Sequence, residues 1–237
     1  MGEYAAVFER YEKKYLLDET QYKKIRNAFA AYFIEDKYGR HTIGSVYYDT
    51  DDFVLIRASL EKPKYKEKLR LRSYGTPTDD GTVFMEIKKK CGGVVYKRRV
   101  PLTLRKAREY DETKIIPDAN SQIWREIEWF ETRYHPAPRV LIGVERIAMY
   151  GAEDENLRVT FDFDMRFRTT MLDLSNGTHG TPLAPGKILM EVKIPGVMPF
   201  WMARIFSELS LTPVSFSKYG TAYRDFIMNG NGGKLSV

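Results

Sequence analysis

Residues 157–168 have the sequence LRVTFDFDMRFR, in which apolar and polar side chains alternate. Successive side chains of a β-strand point to opposite faces of the sheet, so this stretch predicts a strand with one apolar and one polar face. The apolar face carries Leu157, Val159, Phe161, Phe163, Met165 and Phe167. The polar face carries Arg158, Thr160, Asp162, Asp164, Arg166 and Arg168. We therefore expect a strand that buries one face and presents charge on the other.

The same alternation recurs in residues 69–74, 83–90 and 187–194. Their polar faces carry Arg70, Arg72 and Tyr74, then Phe84, Glu86, Lys88 and Lys90, then Lys187, Leu189, Glu191 and Lys193. Turn residues at 79–81 (DDG) and 92–93 (GG) separate such stretches, and the second turn predicts a hairpin. Many antiparallel strands with few helices are typical of a barrel or sandwich that helices partly cover. The sequence thus predicts an α+β protein that is mainly β.

The composition of the polar faces points to an anionic ligand. One such strand alone is explained by a charged face in water, but these faces hold Arg, Lys and Glu instead of the usual Thr, Ser and Gln. Acids and bases also share a face two residues apart, as in Glu86/Lys88 and Glu191/Lys193. If the strands close into a barrel with their apolar faces outward, these charges line the interior, where they are costly unless a ligand and a cation satisfy them. A phosphate chain with a metal ion would do so, because Arg and Lys both bind phosphate oxygens.

Helix signals are few. Asp18 with Gln21 forms a capping box that opens a helix reaching about Tyr32. Three further helices are predicted from Ser121, over residues 199–211, and from Ser215 or Ser217 to Met228. Residues 229–237 are rich in glycine and asparagine and predict a flexible tail, which leaves residues 1–228 as one domain.

Composition narrows the partners and the compartment. The 237 residues include 38 Lys+Arg and 32 Asp+Glu, a formal net charge of +6 that favours nucleic acid, anionic lipid or a phosphate-rich substrate. Cys91 is the one cysteine, so neither a disulfide framework nor a cysteine zinc site is expected, which suits a cytoplasmic protein. No apolar stretch has the length needed to span a bilayer, so we expect no membrane insertion.

Eight short segments follow one another along almost the whole chain. They are FERYEKKY (8–15), SVYYDT (45–50), LRLRSYG (69–75), MEIK (85–88), ER (145–146), RVTFD (158–162), MEVK (190–193) and FSKY (216–219). Their order resembles VTC domains, the catalytic domains of the vacuolar transporter chaperone polyphosphate polymerase, which belong to the triphosphate tunnel metalloenzyme superfamily. The resemblance covers about residues 7–228. It implies a closed antiparallel β-barrel of about eight strands, the triphosphate tunnel, with a few surrounding helices.

The resemblance also implies roles for individual residues. The superfamily signature Glu-x-Glu-x-Lys places Arg10 at its first position, Glu12 at its second and Lys14 at its last, and a basic first position resembles the VTC branch more than the hydrolytic branch. The implied phosphate contacts are Arg10, Lys14, Arg70, Arg72, Lys88, Lys97, Arg99, Arg146, Arg158, Lys193 and Lys218. The implied catalytic set is Lys14, Arg70, Arg72, Lys88, Arg146, Arg158 and Glu191. Glu191 is the implied ligand of Mn²⁺ or Mg²⁺, while Glu12 either assists it or pairs with Lys14.

Three functions stay open at this stage. The first is a polymerase that transfers the γ-phosphate of ATP to a growing polyphosphate chain, which needs positioning and charge neutralisation but no side-chain nucleophile. The second is a triphosphate or tripolyphosphate hydrolase of the same superfamily, and the third is a non-catalytic polyphosphate-binding module. Nucleic acid is not expected, because its recognition calls for exposed aromatic platforms. We expect Tyr47, Tyr48, Trp124 and Trp129 in the core instead.

Overall fold

The computed structural model describes residues 10–92 and 94–228, and for Arg10 the backbone only. The predicted tail at 229–237 and the first two residues of segment 8–15 lie outside the described residues. Two compact units are present. The first unit comprises residues 10–41, 145–164 and 184–216, and the second comprises 42–144, 165–183 and 217–228.

The described residues form ten strands and six α-helices, so the chain is mainly β and antiparallel, as predicted. The strands are β1 (Arg10–Leu17), β2 (Phe33–Glu35), β3 (His41–Asp49), β4 (Tyr65–Tyr74), β5 (Thr82–Cys91), β6 (Val94–Thr103), β7 (Ala137–Gly151), β8 (Arg158–Arg168), β9 (Thr181–Pro182) and β10 (Ile188–Pro195). The helices are α1 (Glu19–Phe29), α2 (Val54–Leu60), α3 (Leu104–Thr113), α4 (Gln122–Tyr134), α5 (Phe200–Glu208) and α6 (Lys218–Ala222). Strands β7 and β8 each contribute to both units.

In the first unit, β1 pairs with β10, β10 pairs with β8, and β2 pairs with β7, all antiparallel. The apolar faces of β1, β8 and β10 pack against α1 and α5 in one core. Helix α1 begins with the predicted capping box, in which the Asp18 carboxylate accepts from Gln21 N–H and the Gln21 side chain accepts from Asp18 N–H. Its Ile25 and Phe29 side chains are buried in that core.

In the second unit, the strand order is β7-β3-β4-β5-β6. The apolar residues of β4 and β5, including Leu69 and Met85, pack against α3 and α4. The predicted hairpin is present, with Gly92 at a φ of 56° in the turn between β5 and β6. The alternation predicted for these strands is confirmed, because Leu69, Val83, Met85 and Ile87 are all buried.

Strand β8 also follows the alternation, since its five apolar residues and the preceding Leu157 are all buried, as predicted. It departs from regular strand geometry at Asp164, which has a φ of 43°. A residue other than glycine in this left-handed region bends the strand locally. Beyond the bend, Arg166 and Arg168 donate to backbone carbonyls, as in the bond from Arg168 Nη1 to His179 O at 2.8 Å.

The helix predictions hold in part. Helix α4 begins after the predicted cap Ser121, α5 lies within residues 199–211, and α6 begins after Ser217 and continues through a π-helical turn, Tyr223–Ile227, to the cap Met228. Helices α2 and α3 were not predicted. No helix in the described part of the chain combines the length and apolar character that a bilayer crossing requires. The hydrogen-bonded order of the described strands ends at β1 and β6 without joining them, so barrel closure stays a prediction.

Candidate functional site

Arg70 lies at the centre of a charged cluster in the second unit. Its Nε and Nη2 atoms lie 2.7 and 2.6 Å from Glu86 Oε2, and its Nη1 donates to Tyr47 Oη at 3.0 Å. Lys97 Nζ is 2.9 Å from Glu86 Oε1, and Arg72 Nη1 is 3.9 Å from Oε2. We call these five residues the Arg70 cluster.

Strand register brings the Arg70 cluster together. Tyr47 of β3 lies opposite Arg70 of β4, which lies opposite Glu86 of β5. Directly opposed residues of neighbouring antiparallel strands share a face, so their side chains meet. Arg72, two residues along β4, shares that face and donates from Nε to Ser45 Oγ at 3.1 Å. The predicted polar face of β4 is therefore the face that carries the site.

The Arg70 cluster holds more positive than negative charge. Glu86 is 1% exposed, and although burial alone would raise its pKa, Arg70, Arg72 and Lys97 lower the pKa to about 2. Burial lowers the pKa of Lys97 to about 8, against the attraction of Glu86. Burial would raise the pKa of the Tyr47 hydroxyl, but Arg70, Arg72 and Lys68 lower it to about 7. One carboxylate thus faces three cations, an arrangement that attracts an anion.

Helix α6 holds the Tyr47 ring in place. Its ring stacks on Tyr219, with ring centroids 5.0 Å apart. The Tyr219 hydroxyl donates to Asp49 Oδ2 at 2.8 Å, and the buried Asp49 carboxylate also accepts from Leu55 N–H and Ile56 N–H at the start of α2. Tyr47, expected in the core, is half-buried: its ring packs on Tyr219 while its hydroxyl accepts from Arg70. Tyr48 and Trp124 are in the core as expected, whereas Trp129 is 48% exposed.

A second charged cluster lies in the first unit around Glu191. Lys14 Nζ is 3.2 Å from Glu191 Oε1 and 3.5 Å from Glu12 Oε1, and it donates to Phe216 O at 3.1 Å. Arg146 donates to both carboxylate oxygens of the fully buried Asp162, at 2.5 and 2.7 Å. Its Nη2 is also 3.9 Å from Glu191 Oε2. We call Glu12, Lys14, Arg146, Asp162 and Glu191 the Glu191 cluster.

Register again explains the Glu191 cluster. Lys14 of β1 lies opposite Glu191 of β10, which lies opposite Thr160 of β8. Burial lowers the pKa of Lys14, but Glu191 and then Glu12 raise it overall, so the ammonium stays charged. Glu12 pairs with Lys14, one of the two possibilities left open by the sequence.

Mg²⁺ and Mn²⁺ prefer hard oxygen ligands, and Mg²⁺ is often held by one or two carboxylates plus substrate phosphates and water. The described residues contain no group of three or more His, Cys, Asp or Glu side chains placed to hold a metal. Glu191 nevertheless lies beside the buried Thr160 Oγ1, which has no hydrogen-bond partner. The residues present therefore fit a cation that phosphate oxygens help to bind, with Glu191 as the main protein ligand and Glu12 nearby. They do not fit a cage made of protein alone.

The remaining predicted site residues are placed as follows. Arg158 is exposed and donates to Glu155 O, while Lys193 lies between Arg158 and Glu12 in register. Lys88 and Arg99 are exposed, and the Arg99 guanidinium lies 4.8 Å from the centroid of the Phe84 ring. Lys218 is the first residue of α6. The side chain of Arg10 lies outside the described residues.

A family model described as the VTC domain matches residues 9–227. The chain belongs to the VTC domain family. The resemblance found in the sequence, including the triphosphate tunnel superfamily, is therefore confirmed. The match extends through both compact units of this VTC domain.

Two solved structures match this VTC domain. A proposed adenylate cyclase from Vibrio parahaemolyticus matches with a TM-score of 0.50 and 13% identity, over 90% of this chain and 97% of the other. A protein from Pyrococcus horikoshii OT3 matches with a TM-score of 0.42 and 12% identity, over 89% of this chain and 96% of the other. At 13% identity, the first likeness shows the fold alone. No curated protein matches this VTC domain.

The sequence alone indicates no role in the site for Tyr47, Asp162 or Thr160. Asp162 and Thr160 did stand on the polar face predicted for β8, so the alternation contained a signal for them. Tyr47 had none, because its role depends on which residue of β4 lies opposite it. That register is fixed by pairing between distant segments and cannot be read from residues 45–50 alone.

Proposed function

We propose that this VTC domain is a metal-dependent polyphosphate polymerase that transfers the γ-phosphate of ATP to a growing inorganic polyphosphate chain. The observation that carries the proposal is the charge imbalance of the Arg70 cluster, in which the single carboxylate of Glu86 faces Arg70, Arg72 and Lys97. A partly buried excess of cations is unfavourable alone and is relieved by a polyanion. Family membership supplies the class of ligand, a nucleotide or triphosphate.

The Arg70 cluster would bind and orient the phosphates. The Arg70 guanidinium has five N–H donors, of which Glu86 and Tyr47 engage three, so its plane is fixed while donors remain for phosphate oxygens. Arg72 and Lys97 would add charge beside it, with Lys88 and Arg99 on the neighbouring strands. Phosphoryl transfer depends mainly on such positioning and charge neutralisation.

The Glu191 cluster would hold the metal and further phosphates. Glu191, assisted by Glu12, would be the protein ligand of Mn²⁺ or Mg²⁺, and the ion would neutralise charge on the transferring group. Lys14 and Arg146 flank Glu191 and would contact phosphate, with Arg10, Arg158, Lys193 and Lys218 as further contacts. Both clusters would serve one activity, so disabling either one should abolish it.

Three coarser features belong to the same proposal. We propose that residues 1–228 work as one tunnel domain, that its strands close into a barrel of about eight strands, and that it works in the cytoplasm. The family match across residues 9–227 supports the first two points. The availability of ATP and the single cysteine support the third.

Product analysis tests the proposal. The purified protein is incubated with ATP and Mn²⁺ or Mg²⁺, and the products are resolved on a gel stained for long polyphosphate. Parallel reactions with tripolyphosphate are assayed for released phosphate. We expect long polyphosphate chains that form only with metal. They should be absent with Arg70→Ala and present with the exposed-residue control Lys24→Gln. Phosphate release from tripolyphosphate without any chain growth would replace the polymerase with the hydrolase, and binding without turnover would leave a binding module.

A further inference from the structure

Three of the eight short segments singled out in the sequence meet at one place in the second unit. SVYYDT provides Tyr47 and Asp49, LRLRSYG provides Arg70, and FSKY provides Tyr219. Contacts join them in the order Asp49, Tyr219, Tyr47, Arg70. The proposed function assigns phosphate binding to Arg70 and leaves Asp49 and Tyr219 without a role. We call Tyr47 and Tyr219 the tyrosine pair.

The Asp49 carboxylate fixes the position of the Tyr219 hydroxyl. Asp49 is fully buried, and its Oδ1 accepts from Thr50 N–H and Leu55 N–H, both at 2.9 Å. Its Oδ2 accepts from Ile56 N–H at 3.0 Å and from the Tyr219 hydroxyl at 2.8 Å. A buried carboxylate is costly without such bonds, so these donors hold it, and with it the Tyr219 hydroxyl, in place.

Helix α6 holds the Tyr219 ring from the side of the backbone. Ser217 caps the helix by accepting from Gly220 N–H at 3.2 Å, and Tyr219 is 3% exposed. Directly after α6, the Tyr223 ring packs on Phe53, with ring centroids 5.5 Å apart. Because Phe53 is the N-cap residue of α2, this contact ties α6 to α2 and limits the movement of Tyr219.

The Tyr219 ring in turn limits where the Tyr47 hydroxyl can lie. The two rings stack, with centroids 5.0 Å apart and planes at 30°. The Tyr47 hydroxyl accepts from Arg70 Nη1 at 3.0 Å, while Glu86 engages Nε and Nη2 of the same guanidinium. A guanidinium held at both ends has a fixed plane, and that plane decides how its remaining donors meet phosphate oxygens.

We propose that Tyr219 is a positioning residue of the phosphate site: held by Asp49, it keeps the Tyr47 hydroxyl against Arg70 and so orients the guanidinium. This inference rests on the proposed function, in which Arg70 binds phosphate. Tyr219 should then matter for binding only while Tyr47 has a hydroxyl. A tyrosine that merely filled the core at this place would act independently of the Tyr47 hydroxyl.

A double-mutant cycle in the full chain tests this coupling, with tripolyphosphate as the ligand. At about pH 6, below the Tyr47 pKa of about 7, the hydroxyl is mostly neutral and its charge hardly enters the comparison. Tyr219→Phe removes the bond to Asp49 and should lower the affinity about fivefold. In the Tyr47→Phe background, which lacks the contact with Arg70, the same substitution should hardly change the affinity. Tyr219→Leu, which also removes the stacked ring, should show a larger loss with the same dependence on Tyr47.

A second measurement follows Tyr47 directly and needs no ligand. Although burial would raise the pKa of Tyr47, Arg70 and the neighbouring cations lower it, so tyrosinate absorbance in the wild type should rise near pH 7. Tyr219→Phe should move this midpoint towards 10, because a hydroxyl that leaves Arg70 regains the pKa of an ordinary tyrosine. Tyr219 does not contribute to the signal near pH 7, because burial and Asp49 raise its pKa.

The matched control is Tyr223→Phe, which removes the hydroxyl of another buried tyrosine, one whose ring packs on Phe53, and should change neither affinity nor midpoint. Equal losses with and without the Tyr47 hydroxyl, no loss in either Tyr219 variant, or an unchanged midpoint would overturn the inference. The expected cycle in a protein that makes no polyphosphate would support the inference and reject the polymerase. If the wild type binds no tripolyphosphate, both fail.

Discussion

The Tyr47 hydroxyl lies among cations that shift its acidity into the neutral range. It accepts from Arg70 Nη1 at 3.0 Å, and Arg70, Arg72 and Lys68 together lower its pKa to about 7. An unfolded tyrosine has a pKa near 10. Because the folded value is the lower one, ionisation stabilises the fold fully above about pH 10, and this contribution is lost as the pH falls through 7.

Tyr47→Phe should therefore cost more stability at high pH than at neutral pH. We expect the difference in free energy of unfolding between wild type and variant to grow by at least about 1 kcal/mol from pH 7 to pH 10. Urea unfolding at several pH values measures this difference, and the near-ultraviolet absorbance of tyrosinate follows the titration directly. A difference that is constant with pH, and an absorbance change only near pH 10, would show that Tyr47 stays neutral.

Substitutions at Glu191 and at Arg70 should have opposite effects: the first should remove turnover and the second should remove binding. Glu191→Gln should abolish metal-dependent turnover, while tripolyphosphate affinity holds or improves because one negative charge is removed. Arg70→Ala should lose binding first, since the orienting guanidinium is gone. Calorimetric titration with tripolyphosphate and the ATP assay separate the two patterns. Wild-type turnover and metal dependence in Glu191→Gln would place the metal on other residues.

The alternation of charged and apolar residues predicts on which face of its own strand a residue lies. It does not predict which residue of a neighbouring strand lies opposite. It put Arg70, Arg72, Glu86 and Glu191 on polar faces, and the structure finds them there. It could not assign Tyr47, because that assignment needs the register of β3 against β4.

At the scale of elements, a local cap did not by itself decide which helices could be predicted, since α1 and α3 are both capped locally, by Asp18 and Thr103, and the sequence predicted α1 alone of the two. Helix α1 carries its signal in Asp18 and Gln21. The N-cap residue of α2, Phe53, has a left-handed backbone and provides no side-chain cap. Asp49, at the end of β3, instead accepts from the N–H groups of Leu55 and Ile56. Because Asp49 lies outside residues 54–60, the sequence of the helix itself carries no signal for its start.

The capping box gives a test at this scale. Asp18→Ala removes the acceptor for Gln21 N–H and should destabilise the protein by about 1 kcal/mol. For a chain of this size, that corresponds to a melting temperature lower by roughly 2–4 °C. Asp18→Asn keeps an acceptor oxygen and serves as the control, with a much smaller change. An equal loss in both variants would mean that the charge of Asp18, and not its hydrogen bond, stabilises α1.

At the scale of the whole molecule, composition gave the sign of the charge but not its distribution. The net charge of +6 permits nucleic acid, lipid or phosphate as partner. Strand register supplies that distribution, because it gathers Arg70, Arg72 and Lys97 around Glu86. Barrel closure could not be derived from alternation, since period-two patterning is common to open and closed sheets.

The metal and the phosphate chain should stabilise the whole molecule together more than separately. Within the described part of the chain, Glu191 and its neighbours provide too few oxygen ligands to hold Mn²⁺ or Mg²⁺ without phosphate. Metal alone should therefore hardly shift the melting temperature, tripolyphosphate alone should raise it, and both should raise it by more than the sum. A ligand at a hundred times its Kd contributes about 2.7 kcal/mol, enough for thermal melting to resolve. Glu191→Gln should keep the shift caused by tripolyphosphate and lose the additional shift caused by metal. If metal alone produced the full rise in melting temperature, the protein would have to supply all the ligands of the ion, which would contradict this prediction.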